Sequence, residues 1–288
     1  MGGLEIPGAL QLENRDSGLT VALIDTPQAE AEIYLHGAHV TSWIPAGQRP
    51  VLFTSSRSFF AHGKPIRGGV PLVFPWFGPR GGGLPGPMHG YARISEWTLE
   101  STGLRDDGAV ELHFALPPVD AFHLRYHVAV GAHLEMELEV RNTSAEELSF
   151  EEALHTYFAV GDVQQVSIFG LAGTTYIDKT DGGRRKQQPT APIQIVQETD
   201  QVHLDTTAPC VIEDPAWARR IVILKSCSAT TVVWNPWVDK TLTLADMAPE
   251  DWREMLCIET ANAGENAIRL AAGASHRMRA TILTEPRP

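Results

Sequence analysis

Arg67, His89 and Arg93 fall within one stretch, residues 64–93, KPIRGGVPLVFPWFGPRGGGLPGPMHGYAR, which holds almost no acid. Arginine presents a planar fork of donors that matches a carboxylate or a phosphate. An anion is therefore the ligand such a segment would take; the alternative is a loop that covers a sheet and leaves its arginines in solvent. Two residues further along also invite chemistry. His155 sits in ALHTYF between apolar neighbours, the setting of a packed structural histidine or of a catalytic one. Glu259 alternates with apolar residues in MLCIETAN. A buried carboxylate must find partners or change its pKa, so Glu259 is either ion-paired or functional.

The segment that carries the arginines is itself irregular. Its glycines and prolines exclude a helix, and Pro71 and Pro75 would remove donors from a central strand. At most a short strand is expected near Val70–Phe74. Long irregular loops in compact domains are functional or disordered. Val70, Leu72, Val73, Phe74, Trp76 and Phe77 argue for packing, because disordered segments are poor in such residues.

The elements that must position these residues read as strands. HLEMELEVR at 133–141 alternates strictly, with Leu134, Met136, Leu138 and Val140 on one face and an acidic row on the other. That row is expected to be a solvated face. Residues 19–25, 31–43, 50–54, 149–163, 193–204, 209–213 and the runs RRIVILKSC and TTVVWNPW are expected strands, as is the C-terminal RLAAGASHRMRATILTE. Residues 178–189, DKTDGGRRKQQP, read as an exposed loop. The stretch from Trp234 to Trp252 reads as a long loop with one helical turn near Pro249–Trp252. On a strand, Ala153, His155 and Tyr157 share a face. His36 and His39 would point to opposite faces, and His113, His123, His127 and His133 show no ligand spacing, so no metal is expected. With no repeat or linker, the pattern gives one all-β domain over residues 1–288, a large antiparallel sandwich or barrel.

Composition bounds the partners. The 288 residues carry a net charge of −12, which disfavours nucleic acid but leaves room for a local basic pocket. Cys210, Cys227 and Cys257 are odd in number and widely spaced, so neither a disulfide framework nor a zinc ribbon is expected. No signal sequence or membrane-spanning run is apparent, and the cytoplasm is the expected compartment.

Taken in order, IRGGVPLVFPWFG, MHGYAR, ALHTYFAVGD, ETD, WNPW and CIETAN resemble the aldose 1-epimerase (galactose mutarotase-like) superfamily. The closer resemblance is to its hexose-6-phosphate branch, the glucose-6-phosphate 1-epimerases, and it runs from about residue 20 to the C-terminus. It implies a β-supersandwich that uses no cofactor and interconverts the anomers of a phosphorylated hexose; a monomer is expected. By position, His155 is similar to the family's catalytic histidine and Glu259 to its catalytic carboxylate. Arg67 and Arg93 match the residues that hold the substrate phosphate, His89 a sugar contact and Asp200 the sugar-binding aspartate. Met88 departs from the glutamine common in the branch.

Mutarotation needs one group to take the proton of the C1 hydroxyl and another to give one to the ring oxygen. A carboxylate and a histidinium suit this near neutral pH, with Glu259 expected as base and His155, protonated at the start, as acid. Trp76, Trp234 and Trp237 are candidates to stack on the sugar, with at least two of them expected in the core instead. A carbohydrate-binding module of the same fold would need neither His155 nor Glu259. A mutarotase of free hexoses would not need both arginines, and a metal-dependent hydrolase lacks its ligand spacing.

Overall fold

Short alternating strands need partners for their backbone groups and cover for their apolar faces. The computed structural model describes residues 3–287 and meets both needs with antiparallel sheets. β1 (Leu10–Asn14), β2 (Thr20–Asp25), β3 (Ala29–Tyr34) and β4 (His39–Pro45) form a four-stranded meander. β5 (Leu72–Val73) stands alone in the arginine segment, as expected there. A second meander follows, of β6 (Thr98–Leu104), β7 (Val110–Val119), β8 (Phe122–Val130) and β9 (Leu134–Asn142). The chain continues through β10 (Leu148–Phe150), β11 (Glu152–Leu154), β12 (Tyr157–Ala159), β13 (Ser167–Phe169), β14 (Thr175–Asp178), β15 (Arg184–Gln187) and β16 (Thr199–Leu204). It ends with β17 (Cys210–Asp214), β18 (Arg219–Ser226), β19 (Thr230–Asn235), β20 (Met255–Asn262), β21 (Ile268–Leu270) and β22 (Ser275–Pro286). Two short helices, α1 (Trp237–Thr243) and α2 (Asp251–Glu254), separate β19 from β20.

Two large sheets dominate. The outer one runs β13-β17-β18-β22-β9-β8-β7-β6. The inner one runs β15-β14-β16-β19-β20-β11-β5, with β12 also paired to β20. Period-two alternation decides what each buries. In β9, Leu134, Met136, Leu138 and Val140 enter the core, and the intervening acids stay half exposed. Those acids face basic residues of β22, with Arg277 paired to Glu139 and Arg279 to Glu137. In β20, Leu256 and Ile258 join the same core, while Cys257 and Glu259 emerge on the opposite face of the inner sheet. Each fully buried Leu or Ile contributes about 1.5–3 kcal/mol. No helix among the described residues is long and apolar enough to cross a membrane.

Several strand expectations are corrected. Residues 50–54 form only isolated bridges, Leu52 with Phe158 and Thr54 with Gly68, and the C-terminal run is two strands, β21 and β22. Residues 31–43 are not one strand: the chain turns between β3 and β4, where Gly37 has φ 75° and Ala38 φ 45°. The apolar pattern runs through the turn and hides it. Residues 178–189 are not a loop but the β14–β15 hairpin, turned by Gly182 and Gly183. Arg184 and Arg185 are exposed as expected, and Lys186 is held 2.8 Å from Asp178. Of 193–204, only β16 is a strand. The stretch 234–252 contains α1, which buries only Thr241 and so has no apolar stripe to betray it. The turn expected near Pro249–Trp252 appears as α2.

The glycines of the arginine segment are explained by close backbone approach. At Gly69, with φ 59°, a Cβ would lie 2.2 Å from the Val40 carbonyl oxygen. At Gly90, with φ 72°, it would lie 1.9 Å from that of Phe74. The backbones thus touch directly: Val70 N–H donates to Val40 O at 2.8 Å and Tyr91 N–H to Phe74 O at 2.9 Å. Gly69→Ala is therefore expected to lose more than ~2 kcal/mol of stability. A lower urea midpoint at unchanged slope would report it; an unaltered midpoint would mean that the turn gives way freely.

Candidate active site

The inner sheet sets the floor of the site. Asp200 of β16 lies opposite Trp234 of β19, which lies opposite Cys257 of β20, itself opposite Tyr157 of β12. Residues paired across a sheet share a face with those two positions along. Glu259 therefore emerges beside Trp234 and Tyr157, away from the core. Here a cavity of about 280 Å³ is lined by Arg67, His89, Arg93, His155, Asp200 and Glu259, all six sequence-derived candidates. Tyr157, Trp234, Lys240 and Met88 complete its principal walls.

His155 occupies the break between β11 and β12. Its N–H donates to Pro71 O at 3.0 Å, which ties it to the arginine segment. Its ring lies parallel to that of Tyr157, centroids 4.9 Å apart, with His89 and Trp234 edge-on. Nδ1 stands 3.3 Å from Glu259 Oε1, and the two residues are only 7% and 1% exposed. His155 Nδ1 and Glu259 Oε2 have no hydrogen-bond partner among the described residues. Burial, seconded by Asp200, holds the Glu259 carboxyl well above the usual range. Burial, seconded by His89, Arg93 and Arg67, holds His155 well below its own. Burial thus works against both charges of a carboxylate–imidazolium pair when no ligand is bound.

The two arginines are not equivalent. Arg67 donates to Tyr157 Oη at 2.9 Å and pairs with Asp246 at 3.1 Å. Burial opposes its charge, but Tyr157 and Asp246 outweigh burial and raise its pKa. Arg93 is 9% exposed and donates to the Met88 carbonyl at 2.8 Å, with no carboxylate partner among the described residues. Burial, with the charge of Arg67 adding, lowers it to about 10. Lys240 of α1 reaches the same cavity, its Nζ 3.8 Å from Glu198.

Neighbouring groups fix the remaining candidates. His89 Nδ1 accepts from Gly78 N–H at 3.1 Å, and burial lowers its pKa to about 3. A neutral ring that accepts at Nδ1 carries its hydrogen on Nε2, so His89 is a donor for a ligand. Burial raises Asp200 to about 6. His39 is a packed histidine, its Nε2 donating to Gly68 O at 2.7 Å and so steadying the turn after Arg67. Of the three tryptophans, Trp234 lines the cavity; Trp76 donates to Pro87 O and Trp237 packs on Trp252.

Met88 contacts Arg93 through its backbone, so the departure at this position leaves that bond intact. Sequence reasoning gave no role to Tyr157, Asp246 or Lys240. Tyr157 was within reach, since strand parity puts it on the face of His155. Lys240 lies on α1, which has no apolar stripe, and Asp246 in the irregular stretch after it, so neither carries a local signal. A larger concavity, about 420 Å³, lies on the outer sheet, but its charged lining is largely self-paired, as in Arg277 with Glu137 and Glu139.

Residues 20–282 match the family described as Aldose 1-epimerase. An Escherichia coli protein named "Putative glucose-6-phosphate 1-epimerase" is 38% identical over 256 residues, covering 86% of this chain and 84% of the relative. The crystal structure of a "putative mutarotase" from Salmonella typhimurium superimposes with a TM-score of 0.90 at 31% identity, covering 99% of this chain and 96% of that one. A galactose mutarotase-like protein of Clostridium acetobutylicum shares the fold, with a TM-score of 0.73 at 14% identity over 96% of this chain and 98% of that one.

The raised pKa of Glu259 carries a stability consequence. The folded state binds this proton more tightly than the unfolded chain does, so stability falls as pH rises from the ordinary carboxylate range toward the raised value. Glu259→Gln is expected to be more stable than wild type at pH 8 by ~1–3 kcal/mol. The gain should vanish below about pH 4. Urea unfolding at several pH values measures it; a variant less stable at pH 8 would show that the carboxylate is held by partners.

Proposed function

The chain belongs to the aldose 1-epimerase family, and from that footing we propose that this mutarotase, an isomerase, interconverts the α and β anomers of a hexose 6-phosphate, with D-glucose 6-phosphate the leading substrate. The observation that carries the reading is the His155–Glu259 pair, 3.3 Å apart and buried in a cavity that also holds Arg93 without a carboxylate partner. The pair supplies two proton carriers within reach of one sugar ring. The guanidinium supplies the charge that a phosphate would meet, with Arg67 and Lys240 beside it.

The protonation of the pair suits a substrate that arrives with its own charge. Neutral Glu259 with neutral His155 holds the same number of protons as carboxylate with imidazolium. The two states differ by the place of one proton. Phosphate bound at Arg93 and Arg67 offsets the cationic field that disfavours imidazolium, and the proton passes to His155 without uptake from solvent. Glu259 then takes the C1 hydroxyl proton while His155 gives its proton to the ring oxygen. The C1–O5 bond breaks to the open aldehyde, which turns about C1–C2. Reclosure on the other face, with both transfers reversed, yields the other anomer and restores the pair. His89 and Asp200 are placed to hold sugar hydroxyls as donor and acceptor, and Trp234 to cover an apolar face of the ring. Three unpaired cysteines fit work in a reducing cytoplasm.

NMR exchange at C1 of D-glucose 6-phosphate tests the reaction. Wild type should accelerate it, and His155→Ala and Glu259→Gln should each lower the rate by ~10²–10⁴. Arg93→Ala should raise KM for the phosphorylated sugar about tenfold or more. An equal effect of Arg93→Ala on free glucose would move the reading to unphosphorylated hexoses, and no acceleration by folded wild type would leave a binding protein.

The proton relocation has its own readout. In ¹⁵N spectra, His155 should be neutral in the free protein and become imidazolium on addition of inorganic phosphate, but not in Arg93→Ala. A ring that stays neutral in saturating phosphate would reject substrate-driven protonation.

A further inference from the structure

Away from the sugar cavity, three side chains from separate parts of the chain converge. His36 lies in the turn after β3, His62 in the loop that leads to Arg67, and Glu96 just before β6. The backbone joins two of them, because His36 and Glu96 form an isolated antiparallel bridge. Nδ1 of His36 and Nδ1 of His62 each stand 2.8 Å from the same oxygen, Oε1 of Glu96. The two rings meet edge to face at 83°, centroids 6.1 Å apart.

The second nitrogen of His36 decides what the first presents. Nε2 lies 2.8 Å from the carbonyl oxygen of Lys64. A carbonyl only accepts, so Nε2 carries a hydrogen. In a neutral ring, Nδ1 then aims a lone pair at the carboxylate and at the second imidazole. His36 is 1% exposed, so water does not relieve that meeting. A metal ion among the three would take the lone pairs of both rings and the charge of the carboxylate. A ring nitrogen anchored on a backbone carbonyl, with its partner nitrogen aimed at further donors, is the arrangement of a metal-binding histidine.

We propose that His36, His62 and Glu96 bind one divalent transition-metal ion of the zinc class. Two imidazoles and a carboxylate suit zinc, nickel or cobalt; calcium and magnesium prefer oxygen alone. All three donor atoms already lie within 4.8 Å of one another. Tetrahedral coordination at bonds of about 2.0–2.1 Å needs donors roughly 3.3 Å apart. The present contacts must open by about 0.5 Å to reach that spacing. The side chains of His62 and Glu96 are 60% and 52% exposed, which gives them that freedom and gives the ion a way in. The ion would be structural. It would pin the loop of His62 and Lys64 to the β3–β4 turn, three residues ahead of Arg67, whose N–H is itself held by Ser58 Oγ at 2.7 Å. Sequence reasoning missed the set because its members are far apart and form no motif.

Calorimetric titration of zinc chloride into chelator-treated protein tests the site. Wild type should bind one zinc ion most tightly, with binding weakened tenfold or more in His62→Ala and in Glu96→Gln, both at exposed positions. Zinc should raise the Tm of wild type and not of those variants. His113→Ala is the control, because Glu111, His113 and His127 form a second group of donors on the outer sheet. It should bind as wild type does. No binding by wild type, binding that survives both variants, or binding lost in His113→Ala would overturn the proposal and leave the three residues as an ion-paired clasp.

Discussion

A carboxylate kept out of water without being put into the hydrophobic core is the constraint on which the site depends. β20 achieves it by being buried on both faces for different reasons. Leu256 and Ile258 fill the sandwich, while Cys257 and Glu259 line the opposite side under Tyr157 and Trp234. The alternation that stabilises the fold thus delivers the acid to the cavity at a fixed height. Its elevated pKa follows from that placement, since nothing among the described residues hydrogen-bonds Oε2.

Around this floor, the arginine segment works as a rigid wall. It has almost no secondary structure, yet it is held at many points: Gly69 against β4, Gly90 against Phe74, His39 under Gly68 and Pro71 over His155. Rigidity matters because a guanidinium discriminates between anions by geometry. Asp246 and Tyr157 hold Arg67 in one orientation, whereas Arg93 is steadied through a backbone carbonyl and keeps its charge unmatched. One arginine is positioned and the other is available, a division of labour that residue type alone does not reveal.

Much of this was legible in the sequence, for identifiable reasons. Alternation in HLEMELEVR and MLCIETAN reports faces directly, so the sandwich and the exit of Glu259 could be read. Motif resemblance brought His155, Arg67, His89, Arg93 and Asp200 to one cavity. What escaped was whatever alternation does not encode. The β3–β4 turn is apolar throughout, α1 buries one threonine, and Asp246 meets Arg67 from a stretch with no period. The opposed pKa shifts of the pair escaped too, because they depend on burial and on neighbours remote in sequence.

The contact between Arg93 and the Met88 carbonyl separates two kinds of inheritance at one position. Any residue supplies a carbonyl, so the anchoring of the guanidinium is indifferent to what stands at 88. The side chain, 53% exposed at the cavity rim, is free to drift. Position 88 is thus a place where single substitutions can reshape the rim of the cavity while the guanidinium beneath keeps its anchor.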